Sequence, residues 1–396
     1  MNVEPKRFVA RHVAGIPKSG IRDFFEIVQS MEDVISLGIG EPDFVTPWRI
    51  REAAIFSLEK GRTGYTSNLG LPRLRQAINH YLKRRFGLQF DPKSEVLVSV
   101  GVSEAVDLAL RALVNRGDEV LYHEPSYVSY NPSILLANGT PVAVETTAAQ
   151  EFRLQAEALA AKLTPRSKIL LLSYPTNPTG AILEKKDLEP LAELCCQHDL
   201  FVLSDEIYSE LVYDGREHVS IASLPGMRER TIVLNGCSKS YAMTGFRVGY
   251  AAGPAAIIDA MMKVHQYAIM CASTMSQEAA IEALEHCDTE VGNMRSDYER
   301  RRNFVVQRFN ELGLQCHAPA GAFYVFPDIR SSGLSSHDFS VSLLQQQKVA
   351  MVPGDAFGPS GEGFVRGCFA TGLEKLRTAL DRIELHLRTL KGQRVS

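Results

Sequence analysis

The sequence predicts an α/β protein, with a large domain built on a mostly parallel central sheet and a smaller α+β domain beside it. Three observations predict this. Short β-branched and aliphatic runs at residues 96–100, 119–122, 168–173, 200–204 and 231–234 read as strands, and helical stretches separate most of them. Alternation of this kind builds parallel sheets through crossover helices. The chemically distinctive residues fall just beyond the strand ends, where open α/β sheets place ligands. At 396 residues the chain can bury one large core or two domains. The expected division is an arm and part of the smaller domain at 1–46, the large domain at 47–288, and the rest of the smaller domain at 289–396.

Composition narrows the function. Hydrophobic residues make up 45% and charged residues 22%, as in ordinary soluble proteins. The formal net charge of -3 leaves no electrostatic footprint for nucleic acid. The basic runs 83–85 and 300–302 lie in helical patterns and read as solvated faces. Seven scattered cysteines without a CxxC pair predict a reducing, cytoplasmic setting and no metal site. The N-terminus lacks an apolar core, and no apolar run approaches the ~18 residues of a membrane span.

The elements follow in order. Residues 1–20 carry Gly15, Pro17 and Gly20 and read as an arm; a short helix at 21–30 and a strand at 34–37 come next. Gly38 and Gly40 then allow close approach of backbone to a ligand, although an ordinary turn would look the same. Thr46-Pro47 marks a helix start, with Thr46 as cap, running to about residue 60. Tyr65 lies in a glycine-bounded loop before a helix at 72–86. Strand 96–100 passes through Gly101, Val102 and Ser103 into a helix at 103–115. A strand, a glycine and a serine cap make an anion site from free N–H groups, and equally a plain cap.

Tyr127 stands just beyond the strand at 119–122, free to stack on a flat ring or to pack in the core. A helix at 131–137, a strand at 141–145, a helix at 150–163 and the strand at 168–173 lead to Asn177, whose backbone Pro175 and Pro178 restrict. After a helix at 184–198, Asp205 closes the strand at 200–204, and Tyr208 follows it. A carboxylate at the tip of an apolar strand is costly unless paired, and a protonated pyridine nitrogen would pair with it.

Residues 231–250 are the centre of the chain. Strand 231–234 is broken by Asn235-Gly236, and Lys239 follows in a polar turn. Poor solvation lowers a lysine's pKa, and the neutral amine is a nucleophile able to form a Schiff base with an aldehyde. Arg247 suits a phosphate, because its planar fork bonds two oxygens at once. Together they suggest a pyridoxal phosphate site; a lysine and an arginine on a surface loop remain the other reading. Long helices at 261–285 and 289–312 precede strands at 321–326, 349–352 and 363–370. The last strand places Arg366 in an apolar run, where a buried arginine needs an anion or an ion pair.

Ser238-Lys239 with the run from Met243 to Gly249 resembles the Schiff-base lysine signature of class I aminotransferases, pyridoxal phosphate enzymes of fold type I. The resemblance extends from about residue 21 to about residue 386, with motifs in the family's order. It is nearest to the aromatic, aspartate and N-acetyl-diaminopimelate subgroup. It implies that Lys239, Asp205 and Tyr208 carry the catalysis. It places the cofactor phosphate on the backbone of Gly101, Val102 and Ser103 with Ser238 and Arg247, the stacked ring on Tyr127, and the phenolic oxygen on Asn177 and Tyr208. Gly40, Asn177 and Arg366 would hold the substrate carboxylate. Tyr65 would reach the phosphate of a second subunit, which implies a homodimer with shared active sites. Two positions depart from the pattern: Gly236, where the best-known relatives have a phosphate-binding serine, and Gly367-Cys368, where a small aliphatic residue and a serine are commoner.

The function so implied is transfer of an amino group from an L-amino acid, aromatic by preference, to a 2-oxo acid such as 2-oxoglutarate. β-Elimination by a C–S lyase, or transamination of aspartate, alanine or N-acetyl-diaminopimelate, are the alternatives. A cofactor-binding regulator would carry a DNA-binding module, for which the chain has neither spare length nor basic charge. Selectivity is expected from residues 16–20 and 34–40, with Tyr127 or Tyr267. No second arginine can be assigned to a side-chain carboxylate.

Overall fold

The computed structural model describes residues 4–16 and 31–393. The helix expected at 21–30 and most of the 16–20 segment lie outside the described residues. The described residues form twelve short strands. After β1 (Ile35–Ser36) come β2 (Val96–Ser99), β3 (Glu119–Glu124), β4 (Thr140–Glu145), β5 (Ser167–Ser173), β6 (Phe201–Asp205), β7 (Thr231–Gly236) and β8 (Gly249–Ala252). The last four are β9 (Tyr324–Val325), β10 (Val349–Ala350), β11 (Val352–Pro353) and β12 (Val365–Cys368).

The large sheet has the order β2-β8-β7-β6-β5-β3-β4. From β7 to β4 every neighbouring pair is parallel, and β8 runs antiparallel to both β7 and β2. β2, β3, β7 and β8 are buried along their whole length, as expected where helices cover both faces of a parallel sheet. The C-terminal ends of β2, β3, β5, β6 and β7 therefore point to one edge, and that edge carries the site.

A second, antiparallel sheet has the order β11-β12-β9. β1 pairs in parallel with β10, so the segment before Gly38 is tied to the C-terminal third of the chain. Among the described residues no helix is long and apolar enough to cross a membrane.

Local chemistry sets some element ends. The helix Pro72–Phe86 starts on a proline and stops at Gly87, which takes the left-handed conformation. Glu184 and Asp187 form a reciprocal capping box at the start of Lys185–Gln197.

Several expectations fail. Thr46 does not cap its helix, which runs Trp48–Glu59; its hydroxyl donates instead to the Ala242 carbonyl. Helix 150–163 shrinks to Ala156–Ala160, because Glu151 and Phe152 both turn left-handed and Phe152 is drawn into the core against Phe326 and Phe364. Helix 261–285 is two helices, Ala255–Ala268 and Thr274–His286, interrupted where Met270 turns left-handed at φ 73°. Asn235-Gly236 does not break β7; both residues stay in the ladder opposite Tyr250 and Gly249.

Candidate active site

A cavity of about 550 Å³ opens at the C-terminal ends of the large sheet's strands, within the usual size of a cofactor site. Gly40, Val102, Ser103, Tyr127, Asn177, Asp205, Tyr208, Ser238, Lys239, Arg247 and Arg366 all line it. Residues spread over more than three hundred positions are thus brought to one wall by the sheet.

The anion end is built first. The helix Gly101–Leu113 begins at Gly101, two residues earlier than the expected serine cap. Gly101 has φ +74°, which turns the chain from β2 into the helix at once. Glu104 closes the turn by accepting the Val100 N–H, so Ser103 lies inside the first turn rather than at the cap. The Arg247 guanidinium packs against this turn: a Cβ on Gly101 would sit 2.5 Å from Nη2. Free helix N–H groups and an arginine fork therefore converge on one corner. A serine at 236 could add nothing without displacing backbone, because its Cβ would fall 2.9 Å from the Val248 carbonyl oxygen and from Gly249 Cα.

Asp205 ends β6 only 5% exposed. Its Oδ2 accepts from the Tyr130 hydroxyl at 2.8 Å and its Oδ1 from the Ile207 N–H at 3.2 Å. Both donors are neutral, and burial pushes the carboxyl up to about 6. Lys239 Nζ donates to the Gly40 carbonyl at 2.7 Å and stands 5.9 Å from the Phe323 ring centre. Burial lowers its ammonium to about 8, the direction that its place beyond a strand end predicts.

Arg366 is 4% exposed on β12. Its Nη1 donates to Asn177 Oδ1 at 2.8 Å, and its Nη2 donates to the Gly38 carbonyl. Its Nε has no hydrogen-bond partner among the described residues. A buried cation held only by neutral acceptors is a receptor for a carboxylate. Tyr208 Oη lies 2.8 Å from Tyr324 Oη.

These features fit pyridoxal phosphate. The phosphate matches the corner of Gly101 and Arg247, a protonated ring nitrogen matches buried Asp205, and an aldehyde matches the depressed amine of Lys239.

Two expected residues stand apart. Tyr65 is 85% exposed and lines no part of this cavity. Tyr267, on the helix Ala255–Ala268, is 88% exposed and also lies away from it. Tyr130 and Tyr324 line the cavity without having been singled out from the sequence. Both are buried, and a lone tyrosine away from a strand end carries no signal that separates a site residue from core.

A fold type I scaffold with these groups at its strand ends defines a pyridoxal-phosphate-dependent transferase. Residues 32–383 match the family model described as aminotransferase class I and II. An aspartate aminotransferase of Pyrococcus abyssi is 48% identical over 375 residues, covering 94% of this chain and 96% of that protein. Aromatic-amino-acid aminotransferase 2 of Thermococcus litoralis is 46% identical, with 94% and 96% covered. The crystal structure of an aromatic aminotransferase from Pyrococcus horikoshii superposes with a TM-score of 0.89 at 47% identity, covering 95% of this chain and all of that one. The chain belongs to the aminotransferase class I and II family, and it is an aminotransferase.

Proposed function

We propose that this enzyme holds pyridoxal phosphate on Lys239 and moves an amino group from an aromatic L-amino acid to a 2-oxo acid, as a homodimer with shared active sites. One observation carries the substrate preference. Apart from Lys239, the cationic side chains among the described lining residues are Arg247 and Arg366. The first is committed to phosphate and the second to the α-carboxylate, so among this chain's described lining residues neither is left for a side-chain carboxylate. The remaining wall includes Ile39, Val106, Tyr127 and Val128, which favours a large apolar side chain.

Bound there, the cofactor supplies an aldehyde for the amine and an electron sink for the α-carbon. The chain's own groups do the rest. The Lys239 amine would take the α-proton and deliver it to the cofactor's aldehyde carbon, on the far side of the shared nitrogen. Arg366 and Asn177 fix the carboxylate, which orients the α-hydrogen toward Lys239. Asp205 holds its negative charge in a dry wall and so retains a proton on the ring nitrogen. Tyr208 donates to the phenolic oxygen.

One apolar face supports the dimer reading that the resemblance at Tyr65 implies. Thr274 Oγ1 donates to the Gly64 carbonyl at 2.7 Å and Asn68 Nδ2 to the Met270 carbonyl at 3.0 Å. The loop that carries exposed Tyr65 is thereby tied to the one that carries exposed Ile269 and Met270, and clustered exposed apolar side chains mark an association surface.

The test is a visible absorbance spectrum of the purified protein, with amino acids added singly and the mass measured by sedimentation. Loss of the cofactor band with phenylalanine or tyrosine, restored by 2-oxoglutarate, and a two-chain mass are expected. A response to aspartate or alanine alone replaces the substrate. Pyruvate and ammonia without an acceptor identify a lyase, and a monomeric active enzyme removes the dimer.

Arg366→Ala is expected to raise KM for the amino acid about a hundredfold, as loss of a charge-assisted pair should. An unchanged KM would place the carboxylate elsewhere.

A further inference from the structure

Tyr324 sits at the junction of the two sheets. It belongs to β9, opposite Cys368 of β12, and is 1% exposed. Its hydroxyl lies 2.8 Å from that of Tyr208, which follows β6 of the large sheet. The Arg366 guanidinium stands 4.5 Å from the Tyr324 ring centre. The same hydroxyl occupies the space over Gly40, where a Cβ would fall 2.4 Å from it. One side chain thus touches the group assigned to the phenolic oxygen, the group assigned to the carboxylate, and the residue whose carbonyl accepts from Lys239.

We infer that Tyr324 is a positioning residue that sets both the Tyr208 hydroxyl and the Arg366 guanidinium, linking the cofactor's phenolic oxygen to the substrate carboxylate site. The inference rests on the cofactor reading given above. Tyr208 has a single proton. If that proton goes to the phenolic oxygen, Tyr208 can only accept toward Tyr324, so Tyr324 donates. A hydroxyl that accepts one bond gives a stronger one. Tyr324 therefore strengthens the bond that stabilises negative charge on the phenolic oxygen. Its ring acts separately, by holding the arginine through a desolvated cation–π contact.

The two contributions separate by substitution in the cofactor-loaded enzyme. Tyr324→Phe keeps the ring and removes the hydroxyl. The pH midpoint of the visible cofactor band is expected to rise by about half a unit, a fraction of one hydrogen bond, with KM for the amino acid within about twofold of the parent. Tyr324→Leu removes both, and KM is expected to rise about fivefold to tenfold. General loss of packing would raise KM in both variants and would not move the band's titration in Tyr324→Phe. A Tyr324→Phe band that titrates like the parent's overturns the inference, and so does an unchanged KM in Tyr324→Leu. Where Tyr324→Leu does not fold, the Phe variant decides alone. A parent protein without any cofactor band overturns the cofactor reading itself, whereas a normal parent band that Tyr324→Phe leaves unmoved overturns only the role of Tyr324.

Discussion

Lys239→Ala is expected to lower amino transfer by about a thousandfold or more while the protein still takes up pyridoxal phosphate. The loss is large because one amine is asked to do two things, to hold the cofactor covalently and to move the α-proton. Uptake survives because the phosphate corner of Gly101 and Arg247, and Asp205 at the end of β6, do not involve the lysine. The variant's cofactor should be removable by dialysis, unlike the parent's. The parent has its own pH signature. The free amine is the reactive form, and burial sets Lys239 at about 8. Below that pH the rate at which added cofactor develops its visible band should rise about tenfold per unit, and above it the rate should level off. An alanine variant that exchanges amino groups near the parent rate, or band formation indifferent to pH between about 6 and 9, would remove Lys239 from its role.

The legible part of the site is the part that lies on strand ends. Apolar runs reveal β5, β6 and β7, and the polar residue after each run is then conspicuous: Asn177, Asp205 and Lys239. A sheet with parallel strands guarantees that such ends share an edge, so the cavity follows from one-dimensional information. Tyr130 and Tyr324 fail this test for a physical reason. Tyr324 lies inside an apolar run and Tyr130 between Ser129 and Asn131, so neither directly follows a strand end, and only the fold shows that one hydroxyl meets Asp205 and the other Tyr208. The helix expected at 150–163 fails differently, since the burial of Phe152 outweighs helix propensity over that window. Gly236 was legible only as a departure from a pattern; the packing of β7 against Val248 and Gly249 supplies its cause.

Asp205→Asn is expected to lower amino transfer by about a hundredfold or more, because a neutral amide cannot keep a proton on the ring nitrogen and the electron sink weakens. The same change should stabilise the cofactor-free protein at neutral pH. The sign follows from burial. An aspartate with an ordinary value of 3.8 is raised to about 6 in the folded chain. Between those values the folded state binds more protons than the unfolded state, so stability falls as pH rises through the window. Above about 6 the whole cost is in place, on the order of 3 kcal/mol. Asparagine does not titrate. Its cofactor-free stability should match the parent's below about pH 4 and exceed it above pH 6. Cofactor should reverse the order, since a protonated ring nitrogen pairs with the carboxylate and not with the amide. Thermal midpoints of parent and variant, with and without pyridoxal phosphate at pH 4 and pH 7.5, read all four states. A variant with near-parent turnover would take Asp205 out of the reaction. A parent–variant stability difference that is flat across that range in the cofactor-free proteins would mean that the carboxylate is solvated in the folded chain, and the fit of this wall to a pyridinium would fail with it.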